Sequence, residues 1–277
     1  MAKAALYGNN SSMATQKTAP RRILVLDVGG SHVKLQIGDV GEEQKFPSGP
    51  KMTPAQMIKG VRKLVSPSDY DAVSIGYPGL VFRGRIAAEP FNLGRGWIGF
   101  DFEAALRKPV RILNDAAMQA VGSYSGGRML FLGFGTGMGA TLILEGVVEP
   151  MEIGHLPYKR DRTFEEYVGE RGLERLGKRK WRKVVAEVVE HLSTAFEVDY
   201  VVLGGGNARL LKELPKGARL GDNQNAILGG RIVWEMTAPL VLSTKSRMRA
   251  RPQKGRISRT GSGTRAHSGR KGLAASP

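Results

Sequence analysis

The stretch ILVLDVGGSHVKLQI, residues 23–37, decides the fold class, because an apolar run meets a glycine pair and is followed by an alternating run. The branched aliphatic side chains of the first run predict a buried strand that ends at Gly29-Gly30. The alternation of apolar and polar residues over 33–37 predicts a second strand beyond that turn. The stretch therefore predicts a β-hairpin with a carboxylate, Asp27, close to its turn.

Outward from this hairpin, the chain alternates between helical and strand patterns. Residues 53–65 place apolar side chains at helical spacing, and residues 71–77 follow as an apolar run typical of a buried strand. The same alternation continues with helices near 102–107, 114–123 and 181–196, and with strands near 110–113, 128–134, 140–144 and 200–203. This order predicts an α/β fold with two lobes joined near residue 115.

Four segments are expected along the chain: a leader at 1–20, a small N-terminal lobe at 21–114, a large C-terminal lobe at 115–243 and a basic tail at 244–277. A closing helix at about 223–236 can pack back against the N-terminal lobe. The leader and the tail lack apolar periodicity, so we expect both to be disordered. The tail holds ten Lys or Arg and no acid, and it therefore carries more than half of the net charge of +17.

The composition narrows the class of protein. With 277 residues, 41% of them hydrophobic, the chain can bury a core without disulfides or a structural metal. It contains no cysteine, which excludes thiolate zinc sites and a cysteine nucleophile. No apolar run reaches the roughly 18 residues of a membrane-spanning helix, and residues 1–22 lack the apolar segment of a secretory signal. We therefore expect a cytoplasmic protein without a membrane partner.

The first glycine turn surrounds bare backbone with polar groups. Asp27 precedes the turn, Gly29 and Gly30 form it, and Ser31 and Lys34 follow with a hydroxyl and a cation. Backbone N–H groups in such a turn can approach phosphate oxygens, Lys34 can offset their charge, and Asp27 can hold Mg²⁺ through water. The same residues also suit an ordinary hairpin with a surface lysine.

Two further glycine-rich turns also follow apolar runs. The second contains Gly135, Thr136, Gly137 and Gly139, and the third is formed by Gly204, Gly205 and Gly206. Glycines weaken a strand unless the backbone must approach another group closely, and a phosphate donor would require that approach. Because a strand rather than a helix follows the second turn, it is not the dinucleotide-binding fingerprint. A wide structural turn or a bulge is the alternative.

Polar residues that could bind a ligand lie between and after these turns. Asn114 and Asp115 end an apolar strand just before a helix, at the edge of an α/β sheet where ligands commonly bind. Asn and Asp are also preferred helix N-caps, so one of the two can cap the helix while the other acts. Asn92, Glu152 and His155 can also bond sugar hydroxyls, although each suits a structural role as well.

Taken together and in this order, these segments closely resemble the ROK family of sugar kinases and repressors, and within it the polyphosphate glucokinase branch. The resemblance covers roughly residues 22–236. It is carried by DVGGS at 27–31 with Lys34, Tyr77-Pro78-Gly79, Asn92-Leu93 with Trp97, Asn114-Asp115, GTGMG at 135–139, EIGH at 152–155 and GGG at 204–206. Seven motifs in register are a far more specific signal than any one of them.

The resemblance implies a two-lobed actin-like ATPase (ribonuclease H-like) fold with a central cleft. It implies that Asp115 is the general base and that Asn92, Asn114, Glu152 and His155 bind the sugar with it. The three glycine turns, with Asp27 and Lys34, would hold the phosphate donor. Mg²⁺, a donor that is polyphosphate or ATP, and a homodimer are further implications.

This chain departs from the family pattern in two ways, and each restricts what the resemblance implies. Many family members carry a cysteine-rich zinc motif after the Glu and Gly-His pair, and this chain has no cysteine, so we expect no zinc. The repressor members carry a DNA-binding module before the kinase-like part, and about twenty polar residues precede Arg21 here, so we expect no such module.

We expect a glucokinase that transfers a phosphoryl group from polyphosphate, ATP or both to the 6-hydroxyl of glucose. One alternative is an ATP-dependent kinase of another hexose such as mannose. The other is a non-catalytic sugar sensor whose basic tail binds nucleic acid. Nucleic-acid binding is not favoured, because basic tails bind many polyanions without specificity; the tail can equally gather polyphosphate or have no role.

Overall fold

The computed structural model describes residues 22–38, 41–222 and 224–236. The expected leader at 1–20 and tail at 244–277 lie outside these residues. The strands are β1 (Ile23–Val28), β2 (His32–Ile37), β3 (Gln44–Pro47), β4 (Ala72–Tyr77), β5 (Val81–Phe82), β6 (Arg85–Ile86), β7 (Val110–Asn114), β8 (Arg128–Phe134), β9 (Met138–Leu144), β10 (Val147–Met151), β11 (Pro157–Lys159), β12 (Arg162–Thr163), β13 (Tyr200–Gly204) and β14 (Ala218–Leu220). The α-helices are α1 (Pro54–Leu64), α2 (Phe102–Leu106), α3 (Asp115–Ser123), α4 (Phe164–Val168), α5 (Glu170–Ala195) and α6 (Asn225–Ile232), and short 3₁₀ helices lie at Ile153–His155, Gly206–Leu210 and Val233–Glu235.

The N-terminal sheet grows from the hairpin that the sequence predicts. β1 pairs antiparallel with β2 and parallel with β4, and the strand order is β3-β2-β1-β4-β7. β1 is covered on both faces, because Leu24 and Leu26 pack in the core beneath α1 whereas Val25 packs against α3 and α6. Because both faces of β1 are buried, successive side chains must all be apolar, and the sequence shows this continuous apolar run.

The C-terminal sheet repeats the same plan. Its order is β10-β9-β8-β13-β14, with β8 antiparallel to β9 and parallel to β13. Helix α5 covers one face through Trp181, Val185 and Val188, which are fully buried. At Gly177 the helix is interrupted by a residue with φ of 70°, a left-handed value that glycine adopts without strain.

Helices α3 and α6 pack against each other between the two sheets. A Cβ at Gly229 would overlap the carbonyl oxygen of Met118, and one at Gly122 would overlap that of Asn225, so both glycines permit the close approach. Helix α6 also contacts β1 and β4 of the N-terminal sheet. It ends at Ile232 and continues as a 3₁₀ turn, so its α-helical part is shorter than the expected 223–236. The lobe boundary at 114/115 stays a prediction.

Several short elements have no counterpart in the sequence patterns. The pairs β5–β6 and β11–β12 contain two or three residues per strand, and β3 and β14 are also short. Runs of this length do not develop a recognisable periodicity, so they cannot be told from loops. Within the described residues, no helix is long and apolar enough to cross a membrane.

Candidate active site

Asp115 lies at the first position of α3, where β7 ends at the cleft between the sheets. The cap of this helix is Asn114: its side-chain oxygen accepts from the Ala117 N–H at 3.1 Å, and its Nδ2 donates to the Gly79 carbonyl at 3.1 Å. Asp115 is thereby left without the capping role and accepts from the Ala116 N–H at 2.7 Å. The capping role that the sequence left open between the two residues therefore belongs to Asn114.

The environment of Asp115 suits a proton acceptor. Burial raises the pKa of this carboxyl to about 7, and the negative charge of Asp27 adds to the effect, as does that of Glu152 to a smaller degree. Three carboxylates from β1, α3 and the segment after β10 therefore act on one region of the cleft. A general base works best when its pKa lies near the working pH, which is where this environment holds Asp115.

Asp27 lies at the end of β1, opposite Lys34 in the register of the hairpin. Burial raises the pKa of Asp27 to about 6, and the cation of Lys34 opposes that rise. Lys34 itself is 3.8 Å from a carboxylate oxygen of Glu43, a half-exposed pair that is worth little in water. Because burial and the negative charge of Glu43 both disfavour the ionised form of Asp27, a cation beside this carboxyl would stabilise that form.

A metal ion at Asp27 would draw most of its ligands from elsewhere. Among the described residues there is no group of three or more His, Cys, Asp or Glu side chains that could hold a metal. Mg²⁺ commonly keeps several waters and binds through one or two carboxylates plus substrate phosphates. A single carboxylate in the wall of a polar cavity, as Asp27 is, therefore fits an Mg²⁺ ion that arrives with a phosphate donor.

The first glycine turn meets the loop that carries Asn92. The Gly29 N–H donates to the His32 carbonyl at 2.9 Å, which closes the turn. A Cβ at Gly30 would lie 3.1 Å from the Cβ of Asn92, so the glycine lets the loop sit tightly against the turn. In that loop Trp97 is fully buried against Tyr77 and anchors the core, whereas Phe91 is 89% exposed.

The second and third glycine turns lie against each other. Asn207 Nδ2 donates to the Gly135 carbonyl at 3.2 Å, and the left-handed Gly205 has no room for a Cβ next to the Phe134 carbonyl. On its other side the second turn approaches the start of α3, since a Cβ at Gly139 would lie 2.7 Å from that of Ala116. Ser31 and Thr136, which the sequence also predicts to bind the phosphate donor, are exposed at the tips of their turns.

A cavity of about 360 Å³ lies between the N-terminal hairpin and the third turn, and the hairpin contributes Asp27 and Lys34 to its wall but not Gly29, Gly30 or Ser31. It is lined by polar groups that include Asp27, Lys34, Gln119, Gly204, Gly205, Gly206, Arg209 and Asp222. The second turn does not line it. A larger cavity of about 960 Å³ reaches Asn114 and Glu152, but its other walls are mostly apolar side chains of β5, β7 and β10, and it does not reach Asp115, Asn92 or His155.

Glu152 immediately precedes the 3₁₀ turn that follows β10, and His155 is the last residue of that turn. Burial raises the pKa of Glu152, and His155 opposes the rise, so the two side chains act on each other. The ring of His155 meets the exposed ring of Phe91 edge-on, with centroids 6.4 Å apart. The loop of Asn92, from the N-terminal side, thus faces His155 across the mouth of the cleft.

Glu165 is a site residue that sequence reasoning missed. Its carboxylate accepts from the Met138 N–H at 3.0 Å and lies 4.0 Å from Nε2 of His155, so it links the second glycine turn to the candidate sugar ligands. The neighbouring Glu166 is occupied by a capping box with Thr163. That motif was the available signal, because it assigns Glu166 to the helix start and leaves Glu165 without a local role.

The chain has relatives whose names describe one activity. The family model described as "ROK family" matches residues 23–173. The polyphosphate glucokinase of Mycobacterium leprae (strain TN) is 30% identical over 213 residues, which are 69% of this chain and 65% of the relative, so the match spans just under two thirds of that protein. The polyphosphate glucokinase of Mycobacterium tuberculosis (strain CDC 1551 / Oshkosh) is 28% identical over 73% of this chain and 84% of its own length.

A solved structure shares the fold. The crystal structure of inorganic polyphosphate/ATP-glucomannokinase from Arthrobacter sp. strain KM superposes with a TM-score of 0.67 at 22% identity, over 77% of this chain and 98% of the other. The two-lobed actin-like ATPase fold predicted from the sequence is thereby confirmed.

Proposed function

The chain belongs to the ROK family, and on that premise we propose that it is a glucokinase that transfers a phosphoryl group to the 6-hydroxyl of glucose. The observation that carries the proposal is Asp115, a carboxylate released from capping by Asn114 and held at a pKa of about 7 between the glycine turns and the candidate sugar ligands. The names of the relatives support polyphosphate as donor, and that of the Arthrobacter enzyme supports ATP and mannose as further substrates.

The reaction needs one proton acceptor and many positioning groups. Asp115 accepts the proton of the sugar hydroxyl while its oxygen forms a bond to the terminal phosphorus, and the bond from that phosphorus to the rest of the donor breaks. A positioned base contributes about 10²–10⁴-fold to such a step, and the remainder comes from alignment and charge stabilisation. We assign the sugar hydroxyls to Asn92, Asn114, Glu152 and His155.

The donor side is assigned to backbone and to a small number of charges. The N–H groups of the turns at 29–31, 135–139 and 204–206 would face phosphate oxygens, and Lys34 would offset their charge. Asp27 would hold Mg²⁺ through water, and when bound the ion would neutralise charge on the transferred group. Glu165 joins the acceptor side in this proposal, because it contacts both Met138 and His155. A homodimer and a cytoplasmic location belong to the proposal as implications of the family resemblance.

An assay with purified full-length chain tests the proposal. The protein is incubated with Mg²⁺, with ATP or a long-chain polyphosphate as donor, and with glucose or mannose as acceptor. We expect glucose 6-phosphate to form with at least one donor and its formation to stop on chelation of Mg²⁺. Product with mannose but none with glucose would show that the hexose substrate is mannose rather than glucose. No product with any combination of donor and acceptor would overturn the proposal.

A second candidate role, which we do not favour, depends on the basic tail, since residues 244–277 hold ten Lys or Arg. A sugar sensor that binds nucleic acid through this tail should lose affinity steeply as salt rises and should lose binding when the tail is deleted. Sugar phosphorylation that is unaffected by the same deletion, together with no nucleic-acid binding at about 0.15 M salt, would remove this candidate.

A further inference from the structure

Gln119 lies on the same face of α3 as Asp115, one helical turn further along. Residues four apart on a helix are neighbours on its surface, so both side chains point toward the cleft side of α3. Gln119 lines the cavity of about 360 Å³ that Asp27 and Lys34 enter from β1 and β2. The helix therefore places Gln119 in the wall of this cavity, one turn beyond Asp115.

The carboxamide of Gln119 reaches the third glycine turn. Its Oε1 lies 3.2 Å from the position that a Cβ of Gly204 would occupy. Among the described residues, this side chain has no hydrogen-bond partner, while its backbone carbonyl accepts from Ser123 Oγ at 2.7 Å as part of the helix. The amide is thus free to bond a ligand that occupies the cavity.

The charges around the cavity favour an uncharged hydrogen-bond donor, such as the amide of Gln119, over a further charged group. Lys34 and Arg209 contribute two positive charges, and Asp27 and Asp222 contribute two negative ones. A chain of phosphates must enter this balanced site, and a further carboxylate would repel it. An amide offers N–H groups to phosphate oxygens without adding charge, and its length allows contact with groups that the backbone turns cannot reach.

We propose that Gln119 binds the leaving phosphate, the part of the donor from which the terminal phosphoryl group departs. This inference rests on the proposed kinase activity. As the bond between the terminal phosphorus and the bridging oxygen breaks, its electron pair stays on that oxygen and negative charge grows on the leaving phosphate. The Nε2–H of Gln119 donates to an oxygen of that phosphate and stabilises the charge. Charge that grows in the transition state strengthens such a bond, so its loss lowers kcat.

Matched variants test the role of the amide. Gln119→Leu keeps the size and removes the donor, Gln119→Glu keeps the shape and adds a negative charge, and Gln44→Leu removes an exposed glutamine of β3 as control. We expect Gln119→Leu to lower kcat about 10- to 100-fold with ATP and with polyphosphate while the KM for the hexose stays within twofold. Gln119→Glu should lose more than Gln119→Leu, and Gln44→Leu should match the wild type.

A binding measurement separates this inference from the proposed function. Calorimetric titration of inorganic tripolyphosphate with Mg²⁺, in the Asp115→Asn background that prevents turnover, should show a Kd at least about fivefold higher when Gln119→Leu is added. Glucose titrated into the same two proteins should bind equally. If the wild type transfers no phosphoryl group, the proposed function fails, and the tripolyphosphate titration alone decides the role of Gln119.

Two results would overturn the inference. One is an unchanged tripolyphosphate Kd in the double variant, and the other is a kcat within twofold of wild type for both Gln119→Leu and Gln119→Glu. If Gln119→Leu does not fold, as judged by circular dichroism, Gln119→Ala replaces it, because a smaller side chain cannot clash with the turn at Gly204.

Discussion

The two five-stranded sheets share strand order and direction, yet the turns that follow their first strands differ in charge. In the N-terminal hairpin Asp27 pairs with Lys34, and at the corresponding place in the C-terminal hairpin Gly133 pairs with Gly139. One turn thus carries a charged pair where the other carries two glycines. In the proposed kinase, the N-terminal turn would supply charge to the phosphate donor, whereas the C-terminal turn supplies a backbone that other groups can approach closely.

Replacing Asp115 should have the largest effect, because it lies between the two turns and takes the only proton transfer that the proposed reaction requires. Asp115→Asn should lower kcat by about 10²–10⁴-fold and leave the Kd of glucose within a few-fold, as measured by steady-state kinetics and calorimetry. Wild-type kcat should also fall on the acid side of the pKa of about 7, as the carboxyl becomes protonated. Full activity of the variant would remove Asp115 from the reaction.

The same variant should change how stability depends on pH. The folded protein holds the Asp115 proton up to about pH 7, whereas the unfolded chain releases it near the ordinary value of 3.8. Between these values the folded state binds more protons, so this group lowers the free energy of unfolding as pH rises. Asp115→Asn should therefore melt at a higher temperature than wild type at pH 8 and show a smaller difference at pH 4. An equal difference at both pH values would contradict the raised pKa.

Removing the charge of the N-terminal turn tests the comparison most directly. Asp27→Asn should lower kcat/KM about 10²-fold and raise the Mg²⁺ concentration needed for half-maximal rate, because the turn loses its carboxylate. It should also lower the pKa of Asp115, since the charge of Asp27 raises that pKa. The acid limb of the pH–rate profile should move to lower pH. A variant with unchanged Mg²⁺ dependence would show that Asp27 is a structural carboxyl.

Local patterns predicted the hairpin, the three turns and the start of α3, because each depends on a short run of residues. The turn residues and Asp115 could be proposed because a strand end, a glycine and a carboxylate stand next to each other in the sequence. Gln119 could not, because its significance comes from its approach to Gly204, more than 25 residues away. For Glu165 the neighbouring capping box was a signal, but that motif does not show the contact with Met138. Tertiary contacts of this kind leave no periodic signal.

Gly135 and Gly137 of the C-terminal turn allow a matched comparison of two alanine substitutions, for which we expect a smaller effect on the kinetics. A Cβ at Gly137 would lie 2.8 Å from the carboxyl carbon of Glu165, whereas a Cβ at Gly135 would have no atom within 4 Å. Gly137→Ala should leave the fold intact, because the flexible end of Glu165 can move away, but this movement takes the carboxylate from Met138 and His155.

We therefore expect Gly137→Ala to raise the KM for the hexose about tenfold, the order of one lost charge-assisted hydrogen bond. Gly135→Ala should leave the hexose KM unchanged and act, if at all, on the KM of the donor. Steady-state kinetics at saturating concentrations of the second substrate separate the two. Equal hexose KM values would mean that the close approach at Gly137 does not position Glu165 for the sugar, and that the C-terminal turn serves the donor alone.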